Sequence, residues 1–345
     1  KVCYLRGVSD ERAAEGWSSM YRCEPYEQVV EDASVSEILF SSVPDWKDRI
    51  HVVSSYFNMD LIKYFCRHQV AWCHWSERPG IRLAETLGYR TLLFRLLYPI
   101  MLRLKIQNGF QIRHHALGAL AQGVSAERAF RKMGVPLRKI RPFFYSPAPL
   151  PEINPASCIT EFAAGRRVFL AVGRLCRRKG IDVLLRSFSL LNAENWCLVL
   201  CGLDESQGLY EKMAGDFGIK DRVLFLGAYP VERIAEVYSA ADVFVLASRF
   251  DGWGAVLNEA ASVGLPLIGT DQCGASWHII QNGVNGYQVR AGSVHALQEA
   301  MRYYVNQPEL IILQGEASRQ LYQRDFHPKK NAERLIDALD VWSKV

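Results

Sequence analysis

The chain has 345 residues, 49% of them hydrophobic and 22% charged, with a formal net charge of +5. That length and apolar content exclude a disordered chain and leave room for two domains. The mild positive charge favours anionic ligands or surfaces but is too weak to imply a nucleic-acid partner. The nine cysteines are scattered, with no CxxC pair and no Cys/His cluster at zinc spacing. A reducing, cytoplasmic compartment is the simpler reading, with thiols such as those in WCLVLCG acting as small core residues. The uncharged apolar runs are too short to span a bilayer, and the start of the chain shows no signal-peptide pattern.

KVCYLRG (1–7) reads as a first strand, followed by a polar loop and a helix start near GWSSMY (16–21). RIHVVSSYF (49–57) is a second strand, NMDLIKYFCR (58–67) a helix capped by Asn58, and QVAWCHW (69–75) a third strand. A long helical region starts near residue 81. HHALGALAQG (114–123) reads as strand and turn, SAERAFRKMG (125–134) as a helix ended by Gly134, and KIRPFFY (139–145) as a closing strand. Residues 146–165 hold four prolines and little periodicity, which marks a linker.

The second half alternates more cleanly. RRVFLAVG (166–173), WCLVLCG (196–202), RVLFLG (222–227), ADVFVLAS (241–248) and LPLIGT (265–270) are short, β-branched apolar runs suited to buried parallel strands. Helices follow over 179–192, after Asp204, at VERIAEVYSAA (231–241) and at AVLNEAASVG (255–264), the last closing on Gly264. Strands alternating with helices predict an α/β protein of two doubly wound parallel sheets, two Rossmann-like domains facing a cleft around the proline-rich hinge. In such sheets ligands bind outside the carboxyl ends of the strands.

Two strand-to-helix turns carry chemistry. In AVGRLCRRKG (171–180), Gly173 permits a sharp turn, and Arg174 and Lys179 flank it. Basic side chains beside a helix start make a site for a diphosphate. Taken alone, a solvated basic loop explains the stretch better, and neither GxGxxG nor a Walker loop is present. In DGWGAVLNE (251–259), Gly252 and Gly254 allow backbone amides close to a ligand, around a tryptophan, Trp253, that reads as exposed. A carboxylate would repel phosphate, so Asp251 and Glu259 are expected to face sugar and ribose hydroxyls. Cations, amides and carboxylates in one pocket describe a nucleotide-sugar site. The bland alternative makes Asp251 a helix cap and Glu259 a solvent-facing side chain.

Together VGRLCRRKG, RVLFLGAYP and SRFDGWGAVLNEAASVGLPLIGTD resemble the donor-binding domain of a family 4 glycosyltransferase with the GT-B fold, in register over about residues 166–306. The resemblance implies a retaining, metal-independent enzyme that takes a UDP- or GDP-linked sugar as substrate and needs no cofactor. It implies that Arg174 and Lys179 bind the donor diphosphate, that Glu259 holds the ribose, and that Asp251 and the amides after it face the transferred sugar. The family pattern has a glutamate where this chain has Asp251, one methylene shorter. Gly227 matches a turn where backbone groups meet the base.

The amino-terminal half is similar to the family only in strand order, and there the family places a catalytic histidine after a strand, facing the donor sugar across the cleft. His74 is the candidate, with Glu77 and Arg78 close behind and His68, opening the same strand, the weaker choice; the bland alternative is a structural histidine hydrogen-bonded at a strand end. Gly16 and Trp17 lie in a loop where the family docks acceptor or phosphate. The resemblance thus implies an acceptor-binding domain over 1–150, a donor-binding domain over 165–320, and a carboxy-terminal helix over 321–345 that returns toward the first domain. It also implies an acceptor that is a glycan or a lipid-linked glycan, as in polysaccharide or lipopolysaccharide biosynthesis.

One stretch falls outside that frame. No Asp or Glu occurs from 86 to 126, while Arg90, Arg95, Arg103, Lys105 and Arg113 punctuate apolar residues such as Leu97, Ile100 and Leu104. Two readings stand: a basic amphipathic helix resting on anionic lipid at the inner face of the cell membrane, or a core-packed helix with a solvated basic edge. Two rivals to the enzyme reading also stand. A catalytically silent GT-B scaffold or glycan-binding protein would keep the fold without turnover. A nucleotide-dependent epimerase or dehydrogenase is disfavoured by the missing GxGxxG.

Overall fold

A computed structural model of the chain describes residues 2–4, 27–29, 45–53, 59–78, 83–84, 87–88, 91–104 and 106–344. The chain forms two compact units: Lys1–Leu83 with Arg90–Phe144 and Ala332–Val345, and Ala84–Tyr89 with Tyr145–Asn331. Each is built on its own parallel sheet.

In the first unit, β1 (Val2–Tyr4) and β2 (Glu27–Val29) pair in parallel. A four-stranded parallel sheet runs in simple order through β3 (His51–Val53), β4 (Trp72–Ser76), β5 (Ala119–Ala121) and β6 (Ile140–Pro142). Among the described residues, α1 (Met59–His68), α2 (Leu92–Leu104), α3 (Ile106–His114) and α4 (Val124–Lys132) accompany it. Trp72, Phe65, Leu102, Ile112 and Phe130 fill the core between sheet and helices. The predicted helical region contains α2 and α3 among the described residues, and HHALGALAQG contributes only three strand residues, His114 still belonging to α3. His68 closes α1 rather than opening β4, its ring 4.3 Å from that of Tyr64, one helical turn earlier. Asn58 lies outside the described residues.

In the second unit, α5 (Ser157–Ala163) precedes β7 (Arg167–Val172), α6 (Ile181–Ser189), β8 (Trp196–Cys201), α7 (Leu209–Asp216), β9 (Val223–Gly227) and α8 (Ile234–Ser239). Then come β10 (Val243–Leu246), α9 (Val256–Ser262), β11 (Leu267–Thr270), α10 (Ser276–Ile279) and β12 (Gly286–Val289). Helices α11 (Val294–Asn306) and α12 (Leu310–Leu321) complete this unit, and α13 (Pro328–Trp342) leaves it after Asn331. The six strands are all parallel, in the order β12-β11-β10-β7-β8-β9. Strands buried on both faces need apolar residues at every position, and every residue of β8 and of β10 is buried. Phe169 stacks on Trp196 at 4.2 Å across β7 and β8, and Cys197 and Cys201, at the alternate positions of β8, are buried too.

The proline-rich stretch 146–165 is not a free linker. Tyr322 donates to the Pro147 carbonyl at 2.6 Å, Arg319 pairs with Glu152 at 2.8 Å, and residues 157–163 form α5 with Ile159 fully buried. ITEFA has helix-forming content that the four prolines, all before it, obscured. From Ala332 onward α13 belongs to the first unit, where its Ala338 and Trp342 pack with Cys73 and Leu120.

Candidate functional site

β7 is the first strand of its sheet and sits inside it, hydrogen-bonded to β8 on one side and β10 on the other. The chain moves outward through β8 and β9, then returns to lay β10 against the opposite edge of β7. The connections leaving β7 and β10 therefore part in opposite directions, opening a crevice at their carboxyl ends. The two motifs that carry charge, 173–180 and 247–254, are the loops bordering this switch point. Gly180 lets them close on each other: it has φ +72°, and a Cβ there would lie 2.2 Å from the Ala247 carbonyl oxygen.

Their charges interlock. Lys179 Nζ lies 2.7 Å from Asp251 Oδ2, and Arg178 Nη1 lies 3.7 Å from the same oxygen. Burial alone would raise the Asp251 carboxyl, but the Lys179 ammonium and the Arg178 guanidinium outweigh it and hold it below the usual range. Arg249 staples the loops: it grips Asp182 at 2.6 and 2.7 Å, donates to the Arg177 carbonyl at 2.9 Å, and its amide donates to the Arg178 carbonyl at 2.8 Å. Arg174 Nη1 pairs with Glu205 at 2.9 Å, on the loop after β8. The Lys179 side chain runs beside Gly173, whose missing Cβ would stand 3.4 Å from its Cε.

The DGWG turn is locked from within. Trp253 is 2% exposed, and its indole N–H donates to Asn258 Oδ1 at 2.9 Å. It is a buried brace rather than the surface residue its glycine neighbours suggested. The Cys273 thiol donates to the Trp253 carbonyl at 2.8 Å, and burial pushes that thiol's pKa up to about 12. Gly254 has φ +90°, and a Cβ there would lie 2.4 Å from Cys273 Sγ. The N-cap of α9 is Ala255, with no side-chain cap, so Asp251 is not a helix cap. Glu259 is not solvent-facing either: its Oε2 accepts from the Tyr238 hydroxyl at 2.6 Å. Burial raises the Glu259 carboxyl, and the Tyr238 bond and Lys179 pull it only partly back.

The structure thus brings Gly173, Arg174, Lys179, Asp251, Gly252, Trp253, Gly254 and Glu259 to one end of one sheet. Gly227 ends β9 with φ +75°, and its carbonyl accepts from the Gly202 amide at 2.8 Å. His74 and Glu77 belong to the first unit. His74 sits inside β4 rather than in the loop after it, 1% exposed, its ring edge-on to Phe130 at 5.7 Å. Glu77 is exposed just past the strand. Gly16 and Trp17 lie outside the described residues. Sequence reasoning missed Arg178, Tyr238, Arg249 and Cys273. Arg249, two residues before the motif, was open to notice. Tyr238 reads as an ordinary core position of an amphipathic helix, and only the fold aims its hydroxyl at Glu259.

Residues 159–321, a little under half of the chain, match the family model for glycosyl transferases group 1. An uncharacterized glycosyltransferase of Methanocaldococcus jannaschii is 32% identical over 124 residues, 36% of this chain and 32% of that protein. A D-inositol 3-phosphate glycosyltransferase of Streptomyces griseus is 29% identical over 206 residues, 54% of this chain and 43% of that protein. The chain therefore spans less than half the length of both relatives. Among solved structures, the Anabaena protein HepE in complex with UDP superposes with a TM-score of 0.71 at 14% identity, over 91% of this chain and 86% of that one. The two parallel-sheet units have the fold of the GT-B glycosyltransferases.

Proposed function

We propose that this chain is a glycosyltransferase that moves a sugar from a UDP- or GDP-linked donor to a hydroxyl of a glycan or lipid-linked glycan. The observation that carries the reading is the Lys179–Asp251 pair at the switch point of the second sheet, beside a Glu259 carboxylate that Tyr238 holds in place. Group 1 glycosyl transferases are what residues 159–321 match, and a GT-B structure with UDP bound has the same fold. Both support a nucleotide-sugar donor.

In this reading Lys179 and Arg174 stabilise the charge that develops on the departing diphosphate, in the role a divalent cation plays elsewhere. Glu259 Oε1 accepts from a ribose hydroxyl while Oε2 stays with Tyr238. Asp251, with the amides of Gly252 to Gly254, faces the transferred sugar, and Gly227 lies at the base. Transfer proceeds with retention of the anomeric configuration and without metal. His74, as a catalytic residue facing the donor sugar, and Glu77, Gly16 and Trp17, on the acceptor side, are assigned on the family resemblance alone; a cytoplasmic location rests on the scattered cysteines.

A screen of UDP- and GDP-linked sugars for thermal stabilisation, followed by product analysis with glycan acceptors, tests the proposal. One donor is expected to raise the unfolding temperature and to be consumed. A donor that binds but is never turned over points to a catalytically silent scaffold, and no stabilisation by any nucleotide or nucleotide-sugar overturns the reading.

A further inference from the structure

The first unit carries a concentration of uncompensated positive charge that the donor site does not use. The helices α2, α3 and α4 end near one another, and Arg103, Phe110, Arg113 and Lys132 line a hollow of about 310 Å³ there. Arg113 also borders an adjoining hollow of about 500 Å³, together with His114 and Arg138. Among the described residues no carboxylate pairs with Arg103, Arg113, Lys132 or Arg138, and no Asp or Glu occurs in the sequence from 86 to 126.

Helix ends explain part of this. Cations complement the partial negative charge at a helix carboxyl end, about half a charge each. Three ends call for about one and a half positive charges, and the four side chains bring more than twice that. One end is already served from elsewhere, since Lys139 Nζ donates to the carbonyls of Arg113 at 2.9 Å and Ala116 at 2.7 Å. Burial and repulsion from Arg138 both lower the pKa of that lysine, which marks the local potential as positive.

Beside the hollows runs an apolar stripe. Leu92, Leu96 and Ile100, four residues apart on α2, are 72%, 59% and 51% exposed. Phe110 in the first hollow is 51% exposed, and Leu137, between Pro136 and Arg138 of the second, is 57% exposed. Arg95 on the same helix is exposed, and among the described residues no carboxylate pairs with it. A soluble anion could use the arginines but has no use for this much exposed leucine and isoleucine. A bilayer uses both: headgroup phosphates meet the cations, and the acyl boundary takes the apolar side chains.

We infer that this face of the first unit docks on an anionic lipid bilayer, with headgroup phosphates seated in the hollows between Arg103, Arg113, Lys132 and Arg138. The inference stands independently of the transfer reaction, because none of these residues belongs to the donor site. No described helix is long and apolar enough to cross a membrane, so the contact is with the surface.

Co-sedimentation with phosphatidylcholine vesicles containing phosphatidylglycerol, against vesicles of phosphatidylcholine alone, tests it. The intact chain is expected to bind the anionic vesicles and to be released as salt rises. Three reversed charges in Arg113→Glu/Lys132→Glu/Arg138→Glu are expected to weaken binding at least ~100-fold. Leu96→Ser/Ile100→Ser is expected to weaken it at constant charge. Cooperative thermal unfolding with a parent-like circular dichroism spectrum, unchanged in both variants, shows that they are folded. Failure of the intact chain to bind anionic vesicles at low salt overturns the inference whatever the variants do. So does undiminished binding by either folded variant, or stabilisation by inorganic phosphate without vesicle binding.

Discussion

Asp251→Asn separates the two roles the structure gives this carboxylate. Without ligand, Asp251 is the counter-ion of Lys179 at 2.7 Å, and both side chains are largely shielded, at 13% and 14% exposure. Removing the charge strands a mostly buried ammonium, which costs about 3 kcal/mol at the low end of the range for broken buried pairs. The same change should tighten binding of a free nucleoside diphosphate. A phosphate oxygen bonded to Lys179 Nζ at ~2.8 Å stands about 5 Å from Asp251. At an effective dielectric of about 20, that repulsion is about 3 kcal/mol per unit charge, and screening leaves ~1–2 kcal/mol. Affinity for UDP or GDP should therefore rise about 5- to 30-fold, while sugar transfer falls because the contact to the sugar is lost. The expected pattern is a lower unfolding temperature without ligand and a larger rise when nucleotide is added. Calorimetric titration of the diphosphate into both proteins, with melting curves alongside, measures it. The pH dependence carries the same sign. The folded Asp251 carboxyl lies below its unfolded value, so it contributes stability above that unfolded value and loses it as pH falls through the folded one. The variant should lack this part of the acid limb. Equal or weaker nucleotide affinity in a folded Asp251→Asn protein would refute the electrostatic reasoning.

Alanine at Lys179 or Arg174 should lower turnover at least ~100-fold, the scale of a lost charge-stabilising donor. Near-normal rates in both variants would remove the diphosphate clamp from the proposal. Tyr238→Phe deletes a hydrogen bond to a carboxylate, worth about 1.5–3 kcal/mol, and so should raise the Glu259 carboxyl further. Nucleotide binding that needs ionised Glu259 should then fail at a higher pH than in the parent, on titration downward, and recover at higher pH; a midpoint that does not move counts against the ribose role. Glu259→Gln should weaken binding of the free diphosphate where Asp251→Asn does not, and the opposite pattern would mean the carboxylate roles are exchanged. Gly254→Ala forces a Cβ against Cys273 Sγ at a positive φ and should cost about 1–3 kcal/mol in denaturant unfolding. An unchanged midpoint would show that the turn is not the rigid brace described.

The alternation of buried strands and helices was legible because strands covered on both faces leave unbroken apolar runs. RRVFLAVG, WCLVLCG and ADVFVLAS each became a strand of the second sheet. Both charged loops were legible too, since glycines next to cations or carboxylates are a local pattern. Local patterns also misled. Four prolines hid the short helix of residues 157–163. Trp253 read as exposed because glycines flank it, although the loop after β11 comes over the turn and buries it.

What the sequence by itself determined is the chemistry available: cations in one turn, two carboxylates spaced across another, an acid-free apolar stretch in the first half. The fold decided which of these meet. Lys179 and Asp251 are 72 positions apart and become partners only because β10 returns to the open edge of β7. Tyr238 reaches Glu259 because the helix before β10 and the helix after it pack beside the same strand. Whether α2 buried its apolar residues or displayed them was likewise undecided by periodicity, since a stripe at helical spacing fits a core as well as a membrane. Its exposure depends on what the sheet and the neighbouring helices leave uncovered, which is a property of packing between distant segments and not of any window of the chain.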